Sequence, residues 1–126
     1  MKLTEPEWII MNALWARHPA KARDVVERLP SSVNWAYTTV KTMLDRLVEK
    51  RAVNKSKRGN VGLYEPLVSR RQARGAALRT LLDQAFDGAF GPMMHFLAEN
   101  EDLSAGELKK LIEILSKKSG RKGERK

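Results

Sequence analysis

The run Ala36-Tyr37-Thr38-Thr39-Val40-Lys41-Thr42 sets three threonine hydroxyls and an ammonium around one apolar anchor, Val40. A threonine hydroxyl can donate to or accept from base edges and phosphates. Its methyl can meet the methyl of thymine, and a lysine can donate to guanine acceptors. Thr38, Thr39, Lys41 and Thr42 are thus candidate contacts to a nucleic-acid duplex; the competing reading of the threonines is capping and turn solvation. Farther along, Lys55, Lys57 and Arg58 crowd the tip of a short extended segment. They can neutralise phosphates or reach a minor groove, or they can be a solvated edge whose charge discourages strand pairing. Arg46 and Arg51 either meet a nucleic-acid backbone or pair with Asp45 and Glu49.

Other chemistries are poorly supplied. The 126 residues contain no cysteine, which excludes a disulfide framework, a thiol nucleophile and a thiolate metal site. His18 and His95 are far apart in sequence and lack a ligand cluster, so no metal, cofactor or acid-base role is expected of them. The carboxylate pairs Glu5/Glu7 and Glu101/Asp102 are accounted for by helix-start electrostatics and solvation, and no glycine-rich phosphate loop occurs. An enzyme is not expected. Trp8, Trp15 and Trp35 could stack single-stranded bases, but the neighbours of the first two match a core stripe better than a basic and aromatic platform.

The elements that must position these residues can be read from period and punctuation. Thr4 with Glu7 forms a capping-box pattern, Leu3 and Trp8 occupy staple positions, and Pro6 falls in the first turn. A stripe of Trp8, Met11, Leu14 and Trp15 follows at helical spacing, ended near His18 and Pro19. Ala22, Val25, Val26 and Leu29 suggest a second short helix, closed by Pro30, Ser31 and Ser32. A third covers about Trp35 to Lys50, with Val40, Leu44, Leu47 and Val48 inward and Thr38, Thr42, Asp45 and Arg46 outward. Ala52 to Lys57 and Val61 to Glu65 then read as a hairpin turning at Arg58, Gly59 and Asn60.

Three compact helices and a basic hairpin make a winged helix-turn-helix the economical arrangement. The fold class expected is mainly α with a small β wing, followed by a helical arm. Beyond Ser69, a possible cap, an Ala-, Leu- and Arg-rich helix begins. The stripes here are Leu78, Leu81, Leu82, Ala85 and Phe86, then Phe90, Met93, Met94 and Leu97, then Leu108, Leu111, Ile112 and Leu115. Gly88, Gly91 and Pro92 argue for a break between the first two, and Ser104 with Glu107 repeats the capping box. An isolated arm cannot bury such stripes, so a second copy of the chain is the favoured cover. The expected organisation is residues 1–68 as the winged domain, 69–118 as a dimerisation domain and 119–126 as a disordered basic tail.

Charge follows the same division. The chain carries 24 Lys and Arg against 15 Asp and Glu, a formal +9. Residues 50–79 hold nine bases and one acid, whereas residues 80–108 hold no base and six acids. The footprint suited to a polyanion is therefore mid-chain. With no apolar run near membrane length and no secretory start, a soluble, cytoplasmic protein without membrane insertion is expected.

The motifs Leu3-Thr4-Glu5-Pro6-Glu7-Trp8, Leu14-Trp15, Tyr37-Thr38-Thr39-Val40-Lys41-Thr42, Leu44-Asp45-Arg46-Leu47 and Tyr64 after a basic wing together resemble the BlaI/MecI family of penicillinase and methicillin-resistance repressors, over nearly all of residues 2–118. That family also includes copper-responsive repressors. The resemblance implies a homodimer that binds inverted-repeat operator DNA, with Thr39 and Thr42 at the operator and Lys41 on phosphate or base. In its beta-lactam-responsive members a membrane-bound sensor protease triggers cleavage at an Asn-Phe bond. Phe96-Leu97 stands at that place here, and the chain has no Asn-Phe pair, so the resemblance leaves any sensor protease unknown. The cysteine-rich site of the copper-responsive members has no counterpart. The expected function is a sequence-specific repressor; the alternatives are a small basic RNA-binding or ribosome-associated module and a protein-interaction adaptor.

Overall fold

The computed structural model describes residues 2–100, 104–107, 109–110 and 112–114. Helix α1 (Glu5–Ala16) starts where the sequence predicts: the Thr4 amide donates to Glu7 Oε1 at 2.8 Å and the Glu7 amide to Thr4 Oγ1 at 3.3 Å. Each side chain satisfies a backbone donor that the first helical turn would leave unpaired. Helix α2 (Ala22–Glu27) opens with the Lys21 amide donating to Asp24 Oδ2 at 3.0 Å.

Helix α3 (Tyr37–Glu49) is slightly shorter than its sequence pattern and starts at Ala36 without a side-chain cap. It ends in a tight reversal in which Arg51 takes φ 65° and the Ala52 amide reaches back to the Leu47 carbonyl at 3.0 Å. That left-handed residue terminates the helix and turns the chain into the wing.

Strands β1 (Val53–Arg58) and β2 (Val61–Pro66) pair antiparallel, with Arg58 opposite Val61 and Lys55 opposite Tyr64. The two-residue turn between them uses Gly59 at φ 65°, a sign that L side chains resist and that hairpin turns of this length require. Ala20 extends the ladder by one isolated bridge to Tyr64, exchanging backbone bonds of 2.9 and 2.7 Å. The core joins all of these elements: Ile10, Met11 and Leu14 of α1, Val25 of α2, Val40, Leu44 and Leu47 of α3, and Ala52, Val53 and Tyr64 of the wing are buried together.

Two compact units divide at residue 81. Helix α4 (Arg70–Phe86) crosses that division; Ser69 and Gln72 cap it reciprocally, at 2.9 and 3.0 Å. In the first unit the Trp15 indole donates to the Val68 carbonyl at 2.9 Å, which fastens the chain just before α4 to α1. In the second unit Asp87 at φ 51° and Gly88 at φ 76° separate α4 from α5 (Phe90–Asn100). Gly91 and Pro92, read from sequence as part of the break, instead fall in the first turn of α5. Proline is tolerated there because a first-turn amide has no intrahelical acceptor to lose. Ser104 and Glu107 form the expected capping box, and residues 105–107, 109–110 and 112–114 are helical.

One ion pair ties α1 to the end of α3. Lys50 Nζ lies 2.6 Å from Glu7 Oε1 and donates to the Lys2 carbonyl at 3.0 Å. Burial pushes the Glu7 carboxyl up, but the bonds from Lys50 and Thr4 outweigh it and hold the group below its ordinary 4.5. A lowered folded-state value means that this stabilisation is complete above about pH 4.5 and is lost as the pH falls through the folded value. Glu7→Gln keeps an amide oxygen for the cap and deletes the charge. It is expected to cost about 1 kcal/mol at neutral pH and to flatten the fall of the melting temperature in acid, as thermal melts across that range would measure.

Candidate nucleic-acid interface

The two sides of α3 are chemically distinct. Val40, Leu44 and Leu47 are fully buried, whereas Thr38, Thr39, Lys41, Thr42 and Arg46 are exposed. Burial of the first set fixes the rotation of the helix and so decides which side chains it shows to solvent. Thr38, Thr39, Thr42 and Arg46 share one flank and, with Met43, line a shallow depression of about 290 Å³. The Thr42 hydroxyl donates to the Thr38 carbonyl at 2.9 Å. Its proton is thereby used within the helix, and its methyl and oxygen lone pair are what it offers outward.

Lys41 lies on the other flank, toward the wing. There it joins Lys21, Arg23, Tyr37, Lys55, Lys57 and Asn60 around a cleft of about 490 Å³. Arg23 stacks its guanidinium 5.4 Å from the centre of the Tyr37 ring, an arrangement that orders a long side chain while leaving its donors outward. Lys55 and Lys57, two residues apart on β1, share the strand face that borders this cleft; Arg58 falls on the other face at the wing tip.

The cations named from sequence are therefore not equivalent. Lys41, Lys57, Arg46 and Arg58 are exposed. Lys55 instead lies 3.5 Å from Asp45 Oδ1 and 5.4 Å from the centre of the Tyr64 ring. Asp45 thus pairs across to the wing rather than with Arg46 beside it. Lys50 is occupied by Glu7. Lys21, Arg23 and Tyr37 were missed as site residues. Lys21 and Arg23 sit at the start of α2, where nothing in the local pattern marks them, and only the packing of α2 beside α3 brings them to the cleft.

The tryptophans are used internally. Trp8 and Trp15 are half-buried with ring centres 5.9 Å apart, and Trp35 packs against the core while half-buried. His18 Nδ1 lies 3.0 Å from the Leu14 carbonyl oxygen, and His95 Nε2 lies 2.9 Å from Glu99. Among the described residues no group of three or more His, Asp or Glu could hold a metal ion, and no helix is long and apolar enough to cross a membrane.

Of the residues expected to cover a partner copy, Leu82 and Met93 are buried within the second unit, and Phe86, Met94 and Leu97 are half-buried. Leu78, Phe90 and Ile112 are exposed, as are Leu81, Phe96 and Ile114. Leu108, Leu111, Leu115 and the tail 119–126 lie outside the described residues. Phe96 and Leu97 are in α5, with the Phe96 ring edge-on to Phe86 at 6.0 Å.

A family model described as penicillinase repressor matches residues 3–117. The methicillin resistance regulatory protein MecI of Staphylococcus aureus (strain N315) is 26% identical over 117 residues, covering 93% of this chain and 95% of its own length. The penicillinase repressor of Bacillus licheniformis is 28% identical over 123 residues, covering 98% and 96%. The solution structure of the DNA binding domain of the repressor BlaI superposes with a TM-score of 0.50 at 28% identity, covering 56% of this chain and 87% of that one.

Proposed function

The chain belongs to the penicillinase repressor family, and we propose that it is a transcriptional repressor that acts as a homodimer on inverted-repeat operator DNA in the cytoplasm. The observation that carries this reading is the exposed Thr38, Thr39, Thr42 and Arg46 flank of α3, on a helix whose opposite side is sealed in the core. A helix so presented fits a major groove. The basic cleft beside it, from Lys21 and Arg23 to Lys57, suits the phosphates that border that groove. In this account Lys21, Arg23, Lys41, Lys57 and Arg58 supply backbone contacts, and Thr38, Thr39 and Thr42 supply base contacts. Two copies would match two half-sites one helical turn apart or a multiple of it.

The exposed apolar residues of α4 and α5, Leu78, Leu81, Phe90 and Phe96, support a partner copy as their cover. The 1–68 and 69–118 organisation is proposed on the same ground, with the reader in the first part and the dimer contacts in the second.

A competition gel shift with symmetric promoter duplexes, random duplex and structured RNA tests the reading. Preferential retention of a symmetric duplex is expected; preference for RNA, or no binding to nucleic acid, would overturn it in favour of an RNA module or an adaptor. With six or more phosphates engaged per dimer, affinity should fall by about 10³-fold or more between 50 and 200 mM salt. Thr39→Ala and Thr42→Ala should each shift the preferred base pairs, by about 1–3 kcal/mol per lost contact, as selection from a randomised duplex pool would show.

A further inference from the structure

Lys55 differs from the other cations of the cleft because it is already held. Besides its 3.5 Å approach to Asp45 Oδ1, the same oxygen accepts the Tyr64 hydroxyl at 3.1 Å. Tyr64 has little freedom, being buried and bonded through its backbone to Ala20. Asp45, on α3, is thus fastened to the wing by a neutral donor, and its charge remains for Lys55. Gly62 completes the seat: a Cβ there would stand 3.1 Å from Lys55 Cε, so a side chain at this position would press on the lysine stem. Among the described residues Lys21, Arg23, Lys41 and Lys57 have no carboxylate partner of this kind.

We propose that Asp45 is an internal counter-ion that occupies Lys55 in the free protein in place of a DNA phosphate, and so lowers the indiscriminate attraction of the wing for polyanions. The pair is built for exchange. Its side chains remain 30% and 45% exposed, a setting in which an ion pair contributes little and a competing anion readily displaces it. A phosphate oxygen offers Lys55 an equivalent partner, and the Tyr64 bond keeps Asp45 in place after the lysine leaves. The Tyr64 hydroxyl, and after it Asp45, hold the Lys55 ammonium above its ordinary range, so the cation persists throughout. Asp45 is a positioning residue here, acting on DNA only through Lys55.

This inference rests on the duplex-binding reading, and its test includes a polyanion without sequence so that the two can fail separately. Asp45→Asn in the full chain keeps an oxygen for the Tyr64 hydroxyl and removes the charge. It is expected to elute from heparin at higher salt and to bind random duplex roughly 3- to 10-fold more tightly. Lys55→Met alone should weaken random-duplex binding by less than about twofold, but by roughly 3- to 10-fold when Asp45→Asn is also present. An equal cost of Lys55→Met in both backgrounds, or unchanged heparin elution of Asp45→Asn, would overturn the proposal. Because Lys55→Met carries its own reading, a loss above about fivefold in the otherwise native chain would also overturn it, independently of how Asp45→Asn folds. A protein that preferred structured RNA yet showed the heparin shift would refute the repressor reading and keep the counter-ion.

Discussion

Removing residues 82–126 is expected to weaken binding to a symmetric operator duplex by roughly 10²- to 10⁴-fold while leaving binding to a half-site nearly unchanged. The truncation follows the division between the two compact units. It retains the capped start of α4, buried Ala73 and the Trp15 bond to the Val68 carbonyl that fastens the chain beside it. The reader helix and basic cleft are both within the retained part. What is lost is the surface on which Phe90, Phe96, Ile112 and Ile114 are exposed, and with it the tether that makes the second half-site contact intramolecular. Fluorescence anisotropy on matched full-site and half-site duplexes reads both numbers. A truncated chain that bound the full site as tightly as the intact protein would remove the homodimer from the proposed function.

Leu44→Ala is expected to be the most damaging single change to the reader. Leu44 is fully buried in the middle of α3, in the cluster that contains Ile10, Leu14, Val40 and Leu47. Truncating such a side chain forfeits its transfer free energy and leaves a cavity, together about 2–5 kcal/mol. Small domains hold only about 5–15 kcal/mol in all, so a drop in melting temperature of roughly 10–25 °C should follow. Calorimetry would measure it. Thr38→Ala, two residues before the buried Val40 and exposed, should move the melting temperature by no more than a few degrees while altering DNA binding. A Leu44→Ala protein as stable as the parent would mean that the core does not set the rotation of α3.

That contrast shows how much the linear pattern already contained. The inward positions Val40, Leu44 and Leu47 and the outward positions Thr38, Thr42 and Arg46 follow from a period of 3.6 residues alone, and the structure keeps them on those sides. The capping boxes at Thr4 and Ser104 were legible for the same reason: three-residue spacing is local and its hydrogen bonds need no distant partner. Gly59 marked the wing turn because its backbone freedom is a property of one residue.

The pairing of charges was not legible. Glu7 and Lys50 are 43 positions apart, and in sequence Glu7 was accounted for as a helix-start acid and Lys50 as the first member of a basic block. Asp45 had Arg46 as its neighbour but pairs across to Lys55. Lys21 and Arg23 gave no sign of belonging with Lys41 and Lys57 until α2 packed beside α3 and the wing folded over.

The sequence by itself determined where the helices capped by Thr4 and Ser104 begin and which face of α3 is hidden, because apolar periodicity and capping act over a few residues. Only the tertiary structure decided which cations are free to meet a polyanion and which are already neutralised. Lysines and arginines are nearly interchangeable in a linear pattern, and a carboxylate selects among them by distance, which folding alone fixes.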